Sequence, residues 1–389
     1  MKRIDTPTAV ADKHGAGKAG FADADLPLVP ATQLDASWFD AVQEELANAV
    51  EGSGRALDSG DNTQLLQATR DIRQISGRAA SRYSVDRGAL PVASLEGIIW
   101  ASDRYLVLAF SGIIYRSLTG ASWSASNALA DFGGSPGLAI AYSPALARTV
   151  AVCSNKTTKA AYSSDGGETL TAATGLEAAW WLGVCWSPEL ARFCAVGTTS
   201  GTSADGITWT EGNLSMYRAW SVAWSPTLGL FCAVGGTVAG AGGYTCAVSS
   251  DGVDWTYGGY VDPSVAGYNT YRGVVWSERA GRFFSVRAAE GGQATALTSV
   301  DGLTWSIDDA PIATTETLRY PIWIDEWHCW CCGTESGLMF FAPDLSWRYR
   351  RDGFGAIGGS GAQRLPCWSE PLKQMCVVTY SEANSVFTV

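Results

Sequence analysis

The chain has 389 residues, of which 47% are hydrophobic and 17% charged, with a formal net charge of -11 and a sequence pI of about 4.7. Such acidity withholds the basic surface that phosphate-backbone binding needs, which excludes nucleic acid as an expected partner. The apolar runs fall far short of the roughly 18 residues that mark a membrane span, so no membrane insertion is expected.

The start, Met1-Lys2-Arg3-Ile4-Asp5-Thr6-Pro7, has no apolar core behind its positive charges and does not read as a secretory signal, which points to folding in the cytosol. From Asp5 to Pro30 the Pro, Gly and Ala content carries neither a helical nor a strand period. Within it, Gly15-Ala16-Gly17-Lys18-Ala19-Gly20 superficially resembles a phosphate loop. Asp12 stands where the first Gly belongs, Ala19 replaces the hydroxyl residue, and no strand precedes it, so it reads as a flexible arm.

Asp35 is placed to cap a helix running to about Val50, with Phe39, Val42, Leu46 and Ala49 or Val50 on one face. A second helix is expected from Asp61, where Gln64 completes a capping-box pattern and Leu65, Leu66, Ile72 and Ile75 follow. Two such helices are marginal alone. Their apolar residues, with Trp38, are therefore the candidate attachment and oligomerisation surface of a separate module, residues 1–80.

The blocks Lys2 to Lys13, Pro30 to Leu46 and Asp61 to Ala68 resemble, in order, the N-terminal attachment region of tail-fibre and tail-tip proteins of tailed bacteriophages and related prophages. The resemblance covers nearly all of residues 1–75. It implies a virion-tail protein assembled in the host cytoplasm, its N-terminus fixed to other tail or baseplate proteins, commonly as a homotrimer, with the distal domain facing the host.

Beyond residue 80 one phrase recurs. Gly183-Val184-Cys185-Trp186-Ser187-Pro188 leads into Arg192-Phe193-Cys194-Ala195-Val196-Gly197, and Ser221-Val222-Ala223-Trp224-Ser225-Pro226 into Leu230-Phe231-Cys232-Ala233-Val234-Gly235. Its anchor is Trp100, Tyr142, Trp186, Trp224, Trp276, Trp323 and Trp368, at intervals of about 38 to 52 residues, close to the ~40 to 50 of a four-stranded propeller blade. A second phrase follows: Ser203-Ala204-Asp205-Gly206, Ser249-Ser250-Asp251-Gly252 and Ser299-Val300-Asp301-Gly302, each ending in Trp three residues on. The longer copy, Ser163-Ser164-Asp165-Gly166-Gly167-Glu168-Thr169-Leu170, resembles the Asp-box of bacterial neuraminidase-type repeats, which implies a structural turn between third and fourth strands.

The last copy lacks a strand, while Ser84 to Val92 has a repeat signature and no blade. The expectation is a mainly β, seven-bladed propeller over residues 81–389 with an N-terminal arm and short α-helices. Residues 84–92 would complete the C-terminal blade and remove exposed sheet edges. The ten cysteines stand where neighbouring copies have Val or Ala and read as buried thiols.

Little in the chain suits catalysis. His14 and His328 are the only histidines, so nucleophilic mechanisms that need a His base have little to work with. His328-Cys329-Trp330-Cys331-Cys332 lies on a strand whose alternate side chains face opposite ways, and neither a metal nor a cofactor is expected. The reading is a non-enzymatic tail protein that recognises a host-surface glycan or protein. Its candidate receptor residues are Trp180, Trp181, Tyr217, Arg218, Tyr268, Tyr271, Arg272, Arg319, Tyr320 and Arg364, aromatics and arginines at the starts of first strands, where rings stack on sugars. For Trp181, Trp220 and Tyr271 packing between blades is the favoured reading. Two alternatives stay open: a sialidase-like glycan hydrolase on the same scaffold, and a baseplate part with no receptor site.

Overall fold

The computed structural model describes residues 36–51, 56–57, 63–65, 85–90, 94–134, 138–178, 180–236, 244–259, 270–287, 295–307, 317–335, 337–345, 348–352, 363–380 and 385–388. Contacts divide the chain into two units, Met1–Ala80 and Ser81–Val389. In the first, a helix spans Ala36–Glu51. Val42 is half-buried, Leu46 is 43% exposed and Val50 is buried. Leu65 is exposed, while the side chains of Trp38 and Phe39, and all of Leu66, Ile72 and Ile75, lie outside the described residues.

The second unit is built of four-stranded antiparallel sheets. Six are contiguous blades, which we letter A to F. Their first strands are Leu95–Ala101 (A), Leu138–Ser143 (B), Trp181–Ser187 (C), Arg218–Ser225 (D), Tyr271–Ser277 (E) and Arg319–Ile324 (F), and each is followed in chain order by three more strands of its own sheet. One further sheet is composite: Gln363–Ser369, Gln374–Tyr380 and Ser385–Thr388 from one end of the unit, and Val85–Ala89 from the other. Val85–Ala89 pairs antiparallel with Ser385–Thr388, Val85 opposite Thr388 and Asp86 opposite Phe387. First strands touch one another in sequence from A to F, and the composite sheet's first strand touches those of F and A.

The expectation of a seven-bladed propeller carrying short α-helices is therefore corrected. The repeat makes six self-contained blades; the remaining sheet, which holds the copy around Trp368, is a joint between distant segments; and the described residues hold one helix, Ala36–Glu51. Counting the copy around Trp368 as a blade like the others gave seven; its sheet is completed by Val85–Ala89 from the far end of the unit. The predicted second helix falls outside the described residues except at Thr63–Leu65.

The recurring phrases have plain physical jobs. Second strands are buried along their length, as in Phe193–Val196 and Phe231–Val234, because both their faces meet neighbouring blades. A strand covered on both sides reads as a continuous apolar run. The anchor aromatic faces the aromatic that opens the second strand: Trp186 opposite Phe193 with ring centroids 4.6 Å apart, Trp224 opposite Phe231 at 4.6 Å, Trp276 opposite Phe283 at 4.7 Å and Trp323 opposite Trp330 at 4.5 Å. Such pairs are the unit of cross-strand stabilisation.

The serine after the anchor closes the turn. Ser187 Oγ accepts from the amide of Leu190 at 3.1 Å, and Ser225 Oγ from that of Leu228 at 3.1 Å. All ten cysteines are free and nine are buried, Cys185 being half-buried; burial raises the thiol pKa at Cys194, Cys232, Cys331 and Cys376 far above its ordinary value.

The second phrase is a self-bonded turn. In blade C the amide of Gly206 donates to Ser203 Oγ at 2.8 Å, and those of Ile207 and Thr208 donate to Asp205 Oδ1 at 2.8 and 2.9 Å. Blades D and E repeat this at Ser249 and Asp251 and at Ser299 and Asp301, with distances of 2.7 to 2.9 Å. In the longer copy Asp165 also accepts from the Thr169 hydroxyl at 2.6 Å.

Burial opposes ionisation of these aspartates, yet the hydrogen bonds outweigh it: Asp205, Asp251 and Asp301 are held below the usual carboxylate value, and Asp165 falls to about 2. A depressed folded-state pKa adds stability above the unfolded value of 3.8 that is lost as pH falls toward about 2. Asp251→Ala is expected to cost about 1–3 kcal/mol at pH 7 by orphaning backbone donors. In thermal melts, its gap to the parent protein should narrow as pH falls below 3.8, the unfolded value; a gap that stays constant on acidification would disprove the turn's electrostatic role.

Candidate functional site

The sequence-selected residues do not form one patch. Trp181 and Tyr271 are fully buried inside blades, in the clusters around Phe193 and Phe283. Arg364 is 1% exposed, and its Nη1 donates to the carbonyl of Glu335. These three are internal, so their candidacy as receptor contacts is corrected: strand alternation turns them away from solvent. Tyr268 lies outside the described residues.

Six candidates remain accessible, and three of them cluster. Trp180, just ahead of blade C, carries the Arg218 guanidinium of blade D 4.1 Å above its ring. The same guanidinium lies 5.2 Å from the ring of Tyr217, which is 50% exposed. One blade on, Arg272 sits 3.8 Å over the ring of Trp220. An arginine from one blade thus stacks on an aromatic of the blade before it, twice. Such stacks are worth about 0.5–2 kcal/mol each and hold the rings and cations in fixed orientation. Arg218 and Arg319 open their strands and Arg272 comes second in its own, so these cations stand on rigid sheet.

Tyr244 and Tyr257 add a second exposed group on blade D, stacked at 4.5 Å, and the amide of Ser215 donates to the Tyr257 hydroxyl at 2.7 Å. Neither was singled out by sequence. Tyr244 follows a Gly-rich segment without any repeat signature, and Tyr257 sits two residues past the turn tryptophan, where the copies at Trp209 and Trp305 have Glu211 and Ile307.

An axial cavity of about 200 Å³ runs between the first strands. Each sheet contributes to it: Glu96 from A, Leu138 from B, Leu182 from C, Trp220 from D, Arg272 from E, Tyr320 from F and Leu365 from the composite sheet. Trp220, read from sequence as packing, is part of its wall. Glu96 is the one carboxylate among the described lining residues. Burial lifts its pKa to about 7, against the pull of Arg319 and then Arg272. Sequence reading missed Glu96, although it lies four residues before its anchor Trp100, as Trp220 lies before Trp224 and Arg272 before Trp276.

No family model matches the chain. Part of it is similar to the uncharacterised protein StfP of Escherichia coli strain K12, with 51% identity over 73 residues, which is 18% of this chain and 35% of StfP. The chain thus matches about a third of that relative's length.

Among solved structures, YCF48 bound to a D1 peptide superposes with a TM-score of 0.57 at 8% identity, covering 79% of this chain and 96% of that one. The hydrazine synthase of Kuenenia stuttgartiensis gives 0.56 at 12% identity, covering 77% and 96%. An ancestral GH74 enzyme gives 0.56 at 12% identity, covering 79% and 46%. At these identities the likeness is one of fold, and the second unit is a β-propeller. No helix among the described residues is long and apolar enough to cross a membrane.

Proposed function

We propose that the protein is a bacteriophage tail-fibre or tail-tip component that docks to the tail through residues 1–80 and uses its propeller to recognise a receptor on the host surface. What supports the phage reading is the three ordered N-terminal blocks described above, beside the 73-residue likeness to the uncharacterised StfP. The exposed face of Leu46 on the helix fits an attachment role with other tail proteins or with two further copies of the chain.

The observation that carries receptor recognition is the ladder of Trp180, Arg218 and Tyr217, in which a half-buried ring and an exposed one are fixed about a shared cation. Aromatic faces bind the apolar faces of sugars, and the arginine edge takes hydroxyl or acidic groups. Hydrolysis of a glycosidic bond ordinarily needs two carboxyl groups about 5–9.5 Å apart. Among the described residues the axial cavity supplies one, Glu96, which disfavours the two-carboxylate mechanism; the sialidase type, which uses a tyrosine nucleophile, is decided by the assay for released sugar.

The test is binding of the full chain to an array of bacterial surface glycans with a parallel assay for released sugar. Binding without release is expected, weakened about tenfold by Trp180→Ala, in line with loss of a hot-spot aromatic. Release of sugar would replace this reading with the hydrolase.

A further inference from the structure

Five first strands break register once, at one common place. The shift falls between Leu95 and Gly97 in blade A, Trp181 and Gly183 in C, Ala219 and Ser221 in D, Tyr271 and Gly273 in E, and Arg319 and Ile322 in F. Blade B and the composite sheet keep regular pairing there. The residues set out of the ladder are Glu96, Leu182, Trp220, Arg272 and, in the F segment, Tyr320, and all five line the axial cavity. A bulge leaves one residue unpaired and re-aims its side chain. The fold therefore hands five side chains to the axis by one repeated device.

The residue after the bulge keeps the strands close. A Cβ on Gly273 would lie 2.2 Å from Pro321 Cδ, and one on Gly183 would lie 2.9 Å from Ser221 Cα. Glycine is needed at both for close approach of the neighbouring blade.

The collar joins an aromatic wall, Trp220 and Tyr320, to a guanidinium whose orientation is set by its stack on Trp220. A guanidinium stacked by its face binds carboxylates through its edge, often bidentately. The cavity, at about 200 Å³, is smaller than the roughly 300 Å³ at which drug-sized pockets begin, which suits one small group and not a chain. Glu96 stands in the same space and repels any anion that enters while it is ionised.

We propose that the collar of Glu96, Leu182, Trp220, Arg272 and Tyr320 is a binding site for a single small carboxylate ligand held at Arg272, taken up together with one proton on Glu96. The site deepens the receptor reading and rests on it only for the ligand's biological role. The charged groups acting on Glu96 are Arg319 from blade F and Arg272 from blade E. Of the first strands beside that of blade A, the one in B adds no charged side chain to the cavity, and Arg364 in the composite sheet is engaged with the Glu335 carbonyl.

The sign follows from burial. The Glu96 pKa lies at about 7, so the free site is neutral at that carboxyl below pH 7. Ligand affinity is flat there and falls above it, by up to about tenfold per pH unit, as binding must then recruit the proton.

The experiment is calorimetric titration of the full chain with glucuronate, and with glucose as the neutral control, at pH 5.5, 7 and 8.5 in two buffers of different ionisation heat. Glucuronate should bind and glucose should not, with proton uptake approaching one at pH 8.5. Glu96→Gln should retain binding and lose the pH slope. Arg272→Ala should lose binding, and Arg272→Lys, should the alanine variant fold poorly, should weaken it at least tenfold. Equal binding of glucose, no binding of glucuronate at pH 5.5, or a pH slope that survives Glu96→Gln would overturn the proposal. Attachment to host cells, measured separately, reports on the receptor reading alone.

Discussion

Deleting residues 85–90 from the full chain is expected to lower the melting temperature by about 10 °C and to make the protein aggregate on warming. The segment contributes a strand whose partner, Ser385–Thr388, otherwise has a free edge. Ladder hydrogen bonds contribute about 0.5–1.5 kcal/mol each. Leu90, buried in the cluster of Tyr105, Leu365, Cys376 and Val378, adds about 1.5–3 kcal/mol.

Together these amount to about 5 kcal/mol, a large part of the ~5–15 kcal/mol by which domains are stable. The cost should fall on the whole propeller, because blade A and the composite sheet share that cluster and Tyr105 donates its hydroxyl hydrogen bond to the Gln374 carbonyl at 3.1 Å. Scanning calorimetry of the deletion beside the parent protein is the check. An unchanged transition would show that the terminal strand is decoration.

Phe231→Ala is the point substitution expected to do most damage, about 3–5 kcal/mol. Phe231 is fully buried, packs against Trp224 with ring centroids 4.6 Å apart, and belongs to a cluster that also holds Cys194 and Val196 of the preceding blade. Truncation would remove the contact that fills the space between two blades, and backbone ladders on both sides restrict how far the void can collapse. Urea unfolding should show a lower midpoint with an unchanged slope, the sign of lost stability and not of altered compactness. Phe231→Leu, which keeps most of the volume, should cost less than half as much. Equal losses for the two would mean that packing volume is not what the position supplies.

Much of the propeller was legible before any coordinates because its signals are local. The Trp-Ser-Pro phrase and the Phe-x-Ala-Val-Gly phrase each specify a turn and a strand through neighbours within a few residues, such as Ser225 closing on Leu228. The Asp-Gly turns were equally plain, since Asp251 bonds amides two and three residues ahead. Burial of the second strands followed from their unbroken apolar runs. The arm and most of the second helix lie outside the described residues, so only the helix Ala36–Glu51 can be set against the sequence reading.

The candidate site was legible only in part. Residue type and position near strand starts drew attention to Trp180, Tyr217, Arg218, Arg272, Arg319 and Tyr320, yet the same criteria swept in Trp181, Tyr271 and Arg364, which face the core. Alternation along a strand separates inside from outside only when its phase is known, and a bulge shifts that phase by one residue.

The amino-acid sequence by itself determined the blade as a unit, its four strands, its turns and its apolar filling, because these depend on contacts between near neighbours. Tertiary structure alone decided which residues meet at the axis. Glu96 and Arg272 are 176 positions apart (272 − 96) and share a cavity through the circular arrangement of first strands, with a register shift in each of their own strands turning both inward. Pairing of Val85–Ala89 with Ser385–Thr388 also closes the ring, but the strand missing from the last copy and the unattached repeat signature at 84–92 pointed to it in advance. The meeting at the axis arises from closure of the ring, a long-range event that no short window of sequence encodes.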